Sequence, residues 1–423
     1  MKQMKQSGVE WLGEIPNDWA VLYPKALFNI RNECMREDDE QLTASQERGI
    51  ISQKDFQKLE GRRIVQVILN REILKHVEPG DFVMHMRSFQ GGLELSRKIG
   101  CVSSAYVMLV PRNEKVRHEY FRYLFKSSAY INALRSTSER IRDGQALRFY
   151  NFAQVFLPLP PVDVQDNISV YLDKRCAVLD EEVSKRLKII EKLKEYKKAI
   201  IANAVTKGLD PNVPLSNKGI KWTSKTPADW RTYKFKHLFE IKKRIAGKDG
   251  LTVLSITQKG IVPKDFSSWK GQFAESYSDY QLVHRGDFAM NHMDLLTGWV
   301  DISDYDGVTS PDYRVFTIRD YRICHPTYVK YLMQMLYLYK IFFGCANGVA
   351  DKGRMRLQTP VFREFVVVLP PIDEQREIAK FLDSRCVAID ETITRQEKII
   401  EKLGEYRKSI IHYAVTGKIN CTE

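Results

Sequence analysis

Short polar segments rich in Arg, Gln, Asn, Asp and Lys recur at matching places in the two halves of this 423-residue chain. These side chains hydrogen-bond base edges and phosphates when turns or strands carry them into a groove. One pair of segments sets Gln46 and Arg48 against Gln258 and Lys259. A second sets Arg87, Ser88 and Gln90 against Asn291, His292 and Asp294. A third sets Arg140, Arg142, Gln145 and Arg148 against Asn347, Lys352, Arg354 and Arg356. Taken singly, each residue reads as a phosphate contact or a solvated surface group before it reads as a base reader. Taken as pairs, they look like two modules of one frame carrying different side chains.

Catalytic chemistry is hard to place. The two Pro-Pro pairs, Pro160-Pro161 and Pro370-Pro371, follow Leu and precede Val or Ile, so neither makes the Asn/Asp-Pro-Pro-aromatic loop that would hold a flipped base. No glycine-rich loop has the context of a nucleotide or S-adenosylmethionine site, and there is no phosphate-cradling lysine loop. Pro311-Asp312 is not followed by the acidic-x-Lys of a nuclease, and His284, His292, Cys324, His325 and Cys345 lack zinc spacing. Seven scattered cysteines make no disulfide framework. No apolar run approaches the ~20 residues of a membrane span. The opening MKQMKQSGVEW has no apolar signal region. These features lead us to expect a reduced, cytoplasmic protein without metal or catalytic residues of its own.

Positioning falls to an internal repeat. The 48 residues from Leu159 match those from Leu369 at 26 positions with a constant offset of 210. Upstream only anchors recur: Trp11, Pro16 and Asp18-Trp19 as Trp222, Pro227 and Asp229-Trp230; Gly80-Asp81-Phe82 as Gly286-Asp287-Phe288; Tyr120, Tyr123 and Leu124 as Tyr328, Tyr331 and Leu332. The chain is a tandem duplication in which one part is held and the other is free to vary. Expected boundaries are a variable block at 1–158, a long helix at 159–208, a second block at 209–368, and a second helix with tail at 369–423.

Each repeated segment predicts a long helix entered through Leu-Pro-Pro, with Asp163 or Asp373 as the N-cap. Ile168, Leu172, Cys176, Leu179, Val183, Ile190, Leu193, Ile200 and Ala204 fall at coiled-coil spacing. Ile378, Leu382, Cys386, Ile389, Ile393, Ile400, Leu403, Ile410 and Ala414 repeat that seam, which predicts that the two helices pair with each other. Gly404 is the one residue expected to bend the second. The blocks read as mixed α/β, with strands at 63–68, 101–110 and 366–369, a helical stretch at 118–134 and a buried helix at 328–343. The formal charge of +13 is uneven: residues 1–162 carry +5 and 207–372 carry +8, while the helices carry +1 and −1. Excess positive charge on the variable blocks is the footprint of a phosphate binder.

Leu-Pro-Pro-x-Asp-x-Gln, then Ile-Ile-Glu-Lys-Leu-x-Glu-Tyr and Ala-Val-Thr, present twice with the upstream Trp and Gly-Asp-Phe anchors, resembles the specificity subunit of type I restriction-modification systems. The resemblance covers essentially the whole chain. It implies an α+β fold with two mixed α/β target-recognition domains in tandem, each followed by a long helix. The helices would pair as an antiparallel coiled coil with pseudo-twofold symmetry. It implies that each domain reads one half of a bipartite site in double-stranded DNA, and that the helices set the spacing and dock two methyltransferase subunits. It further implies restriction/translocase subunits as partners, with S-adenosylmethionine bound by the methyltransferase subunits and ATP and Mg by the restriction subunit. One departure stands out: the second signature reads Asp-Glu-Gln with Glu374, whereas the first has Val164. Rival expectations are a specificity subunit of another multi-subunit methylation system, a non-specific basic coiled-coil scaffold, and a nuclease or methylase with unusual motifs.

Overall fold

The structure is a computed structural model and describes residues 3–45, 48–61, 71–85, 88–137, 148–266, 275–345 and 355–422. It divides into two compact units, 1–186 with 397–423, and 187–396. The long helices run Val162–Lys207 and Ile372–Val415, so each begins in one unit and ends in the other.

In the first unit the strands Phe28–Arg31, Val107–Pro111, Phe82–Met84 and Glu94–Leu95 form an antiparallel sheet in that order. In the second, Phe239–Lys242, Arg314–Ile318, Phe288–Met290 and Val300–Ile302 repeat it strand for strand. Smaller ladders repeat too: Leu42–Ser45 with Gly49–Ser52 matches Leu254–Thr257 with Gly260–Pro263, and Lys75–Val77 with Gly100–Val102 matches Gln281–Val283 with Gly307–Thr309. Two expected elements split. The run 101–110 becomes two strands separated by a turn at Ser103, and 118–134 becomes His118–Leu124 and Ser128–Ser136, with Ser127 capping the second helix. The expected strand at 63–68 lies outside the described residues. The helix Pro326–Leu338 is buried as expected, but it stops where Lys340 takes φ +56°.

The Gly-Asp-Phe anchors build the same turn twice. Gly80 and Gly286 sit at φ +98° and +90° as the third residue of a β-turn closed by Asp81 N–H to Glu78 O, or Asp287 N–H to His284 O. Only glycine takes that conformation without strain. The aspartate accepts from the turn's first amide and pairs with an arginine of the edge strand or just beyond it, Arg31 at 2.8 Å in one unit and Arg244 in the other. The phenylalanine goes to the core.

The glutamine of each helix signature is fully buried. Gln165 accepts from Arg117 N at 3.0 Å and donates to Lys115 O and Pro160 O; Gln375 accepts from His325 N at 2.8 Å and donates to Ile323 O and Pro370 O. Each long helix is thereby stapled at its start to the block that precedes it. Both helices begin two residues earlier than expected, so Asp163 and Asp373 lie in the first turn and are not N-caps. A carboxylate there still favours the helix dipole. The second helix continues through Gly404.

The helices pair antiparallel within each unit. In the first, Ile168, Leu172 and Cys176 share a core with Ile410, Ile411, Ala414 and Val415, and Asp180 pairs with Arg407. In the second, Ile201, Ala204 and Val205 share a core with Ile378, Leu382 and Cys386, and Lys197 pairs with Asp390 at 2.6 Å. Leu172, Leu179, Ile190, Leu382, Ile389, Ile393 and Ile410 are buried, while Val183, Leu193, Ile200, Ile400 and Leu403 are half-buried. Near the C-terminal ends the stripe widens to include Ile201, Val205, Ile411 and Val415, because a block covers the helix there as well as its partner. The twinned Cys176 and Cys386 are buried, and burial pushes both thiols up.

The C-terminal ends are bonded as firmly as the starts. Tyr120 OH donates to Val415 O at 2.8 Å and Tyr328 OH to Val205 O at 3.1 Å. The indole N–H of Trp230 donates to Glu374 at 3.1 Å, whereas that of Trp19, which faces Val164 in the equivalent frame, is buried without a partner.

Two outcomes follow for stability. Gln165→Ala should cost about 2–4 kcal/mol by leaving three backbone groups, one buried and two part-buried, without their partner, read as a lower urea midpoint. Val164→Glu should gain about 1 kcal/mol by giving the Trp19 indole its missing acceptor, and Glu374→Val should lose a similar amount.

Candidate nucleic-acid interface

The polar segments occupy three places on the repeated frame. Hairpin tips come first. Gln258 and Lys259 form the exposed two-residue loop between Thr257 and Gly260, with the Thr257 hydroxyl accepting from Lys259 N at 3.1 Å. Arg48 is exposed on the matching tip between Ser45 and Gly49. A hairpin holds its tip through the strand ladder, and the two tips differ in length as well as in side chains, with three residues between Ser45 and Gly49 against two between Thr257 and Gly260.

The second place follows the Gly-Asp-Phe strand, and here the structure separates frame from surface. Ser88 is fully buried and its hydroxyl accepts from His85 N at 3.0 Å, so it closes the turn; Gln90 is exposed. In the other unit Asn291 is half-buried and accepts from Met293 N. Asp294 accepts from the amides of Leu296 and Thr297, which fixes the turn ahead of Gly298. His292 is only 6% exposed. Its burial, with Arg314 and Arg356 nearby, lowers its pKa to about 3, so the ring is neutral. Types and spacing alone could not reveal that Ser88 and Asp294 are engaged in holding turns, because their partners lie within the turns themselves.

The third place precedes each long helix. Arg148 is exposed at the start of the short helix Phe149–Gln154, and Arg356 is exposed ahead of Thr359–Glu364. Gln46, Arg87, Arg140, Arg142, Gln145, Asn347, Lys352 and Arg354 lie outside the described residues.

One residue escaped the sequence reading. Arg314 opens a central strand and is 3% exposed. It donates to Leu357 O at 3.0 Å and to the Thr359 hydroxyl at 3.3 Å, and it lies 4.4 Å from the Phe362 ring centroid. Burial lowers its pKa to about 10. An arginine within a β-rich run, Arg314-Val315-Phe316-Thr317-Ile318, was the only available signal.

Exposed apolar side chains also mark the long helices, among them Val170, Val178, Leu187, Tyr196, Val387 and Tyr406. No described helix is long and apolar enough to cross a membrane.

Comparison with known proteins agrees with this frame. Residues 227–404 match the type I restriction modification DNA specificity domain, from Pro227 into the second long helix. The MjaVIII type I restriction enzyme specificity subunit of Methanocaldococcus jannaschii is 24% identical over 373 residues, covering 83% of this chain and 81% of the relative. The putative MjaX specificity subunit of the same organism is 22% identical over 444 residues, covering 96% and 95%. Among solved structures, a chain from work on complex assembly and conformational transition of the type I R-M system superposes with a TM-score of 0.69, at 14% identity, over 96% of this chain and 99% of that one. The HsdS subunit from Thermoanaerobacter tengcongensis gives 0.50 at 15% identity, over 96% and 98%. The doubled blocks, the twinned helix signature and relatives that align along most of the chain point the same way: residues 227–404 match the type I restriction modification DNA specificity domain, and the chain as a whole is similar to type I restriction enzyme specificity subunits.

Proposed function

We propose that this chain is the non-catalytic reader of a type I restriction-modification complex, with each α/β block reading one half of a bipartite site in double-stranded DNA. The observation that carries the reading is the contrast within the repeat. Two blocks share a strand order and buried anchors, while their hairpin tips present Arg48 in one copy and Gln258-Lys259 in the other. Shared geometry with unlike side chains is what two readers of different half-sites require. The net charges of +5 and +8 on the blocks favour phosphate approach.

The paired helices act as the spacer. A 46-residue helix is about 69 Å long, so half-site separation is a geometric property of the arm. Its exposed apolar residues offer docking surface to two methyltransferase subunits, which hold the S-adenosylmethionine. Restriction subunits that use ATP and Mg complete the complex, which works in the cytoplasm. The names of the relatives, specificity subunits of type I restriction enzymes, support the reader's part in it.

Long-read methylation mapping in a host expressing the chain with its methyltransferase partner should reveal one bipartite motif with a fixed gap. A continuous motif, or none, would sink the reading. Inserting or deleting one heptad in both helices should shift that gap while both half-site sequences stay the same; an unchanged gap would show that the arms do not set it. Binding to duplex should weaken with salt at a slope of about −0.9 per phosphate contacted, read by titration between low and physiological salt.

A further inference from the structure

Arg314 is a cation buried where its counterpart is not. The sheet registers pair Arg314 with Met290 in one unit and Val107 with Met84 in the other, so a half-buried valine fills the equivalent position. Among the described residues Arg314 makes no ion pair, and its Nη1 has no hydrogen-bond partner. His292 beside it also keeps an unpartnered Nδ1. Burying a charge without a counter-charge is costly. Packing alone would be served as well by an apolar side chain, as the first unit demonstrates.

What Arg314 does hold is a segment. Leu357 N–H donates to His292 O at 3.0 Å and Leu295 N–H donates to Met355 O at 3.3 Å, which binds residues 355–357 to the turn at 291–298. Arg314 grips the same segment through Leu357 O and the Thr359 hydroxyl, and stacks on Phe362. Tyr337 OH donates to Asn291 O at 2.8 Å and fixes the turn from its other side. Between the two bonded residues Arg356 is exposed, close enough that its charge acts on both His292 and Arg314. Among the described residues no carboxylate pairs with Arg314 or Arg356, an electrostatic arrangement that an acceptor-rich polyanion relieves.

We propose that Arg314 is a positioning residue for DNA readout by the second block: it clamps residues 355–359 onto the 291–298 turn, sets Arg356 against the duplex, and thereby decides which half-site that block accepts. The inference rests on the reading under Proposed function and names the residue through which one of its two heads gains selectivity. The first block has Val107 at this place, so it lacks this arginine.

The test is selection of the full-length chain on a randomised duplex pool, sequenced after capture, with thermal melts of the same preparations. The wild-type chain should enrich two half-sites. Arg314→Met should leave one half-site as it was and lose about tenfold or more in discrimination at one or more positions of the other. Its melting midpoint should be unchanged or higher, since an uncompensated buried charge has been removed. Arg314→Lys, which keeps the charge but not the planar fork, should lose the same discrimination. Arg356→Ala should weaken capture through that half-site alone. Retention of both half-sites by both Arg314 variants would overturn this inference and leave the proposed function standing. So would parallel weakening of both half-sites with a lowered midpoint, which marks a purely structural role. A wild-type chain that enriches no sequence would overturn both.

Discussion

The buried bonds that fasten each end of each long helix to an α/β block are the constraint on which the rest of this protein depends. At the starts, the fully buried Gln165 and Gln375 each satisfy three backbone groups. At the ends, Tyr120 and Tyr328 each take up a carbonyl that the helix itself leaves unpaired. The helix that leaves one block is therefore received by the other. Two stretches of chain far apart in sequence end up in one hydrophobic core, as Ile168 with Ala414 and Ala204 with Ile378 show.

This arrangement explains why the two kinds of segment could diverge so unevenly. A change at Gln375, Trp230 or Ala414 strands a buried polar group or opens a cavity where two segments meet. A change at Arg48, Gln258 or Lys259 alters only an exposed hairpin tip, whose backbone is fixed by the ladder behind it. The Gly-Asp-Phe turn lies between these extremes. Its glycine and aspartate are dictated by backbone geometry, while the residues that follow it are free to differ.

The two copies also show how far one frame can bend to different uses. Glu374 takes the indole proton of Trp230 where Val164 leaves that of Trp19 unpaired. Arg314 is buried with no ion pair among the described residues where the first unit has Val107. Both cases set a polar group against an apolar one at the same position of the same fold. The duplicate thus acts as an internal control, separating what the fold requires from what one head adds to it.

From its residues alone the chain declared its tandem plan, the length and seam of both helices, the turn anchors and the uneven charge. All of these live in local periodicity or in direct self-comparison, which any window of sequence carries. Tertiary structure alone decided that Tyr120 answers to Val415, that Ile201 and Val205 join the seam, and that Ser88 and His292 face inward while Arg48 and Arg356 face water. Burial and pairing depend on which distant segments arrive at a surface, and an arginine in a β-rich run looks the same whether it ends in solvent or, as Arg314 does, under a clamp of its own making. That information exists only once chain segments far apart in sequence have closed around the same space.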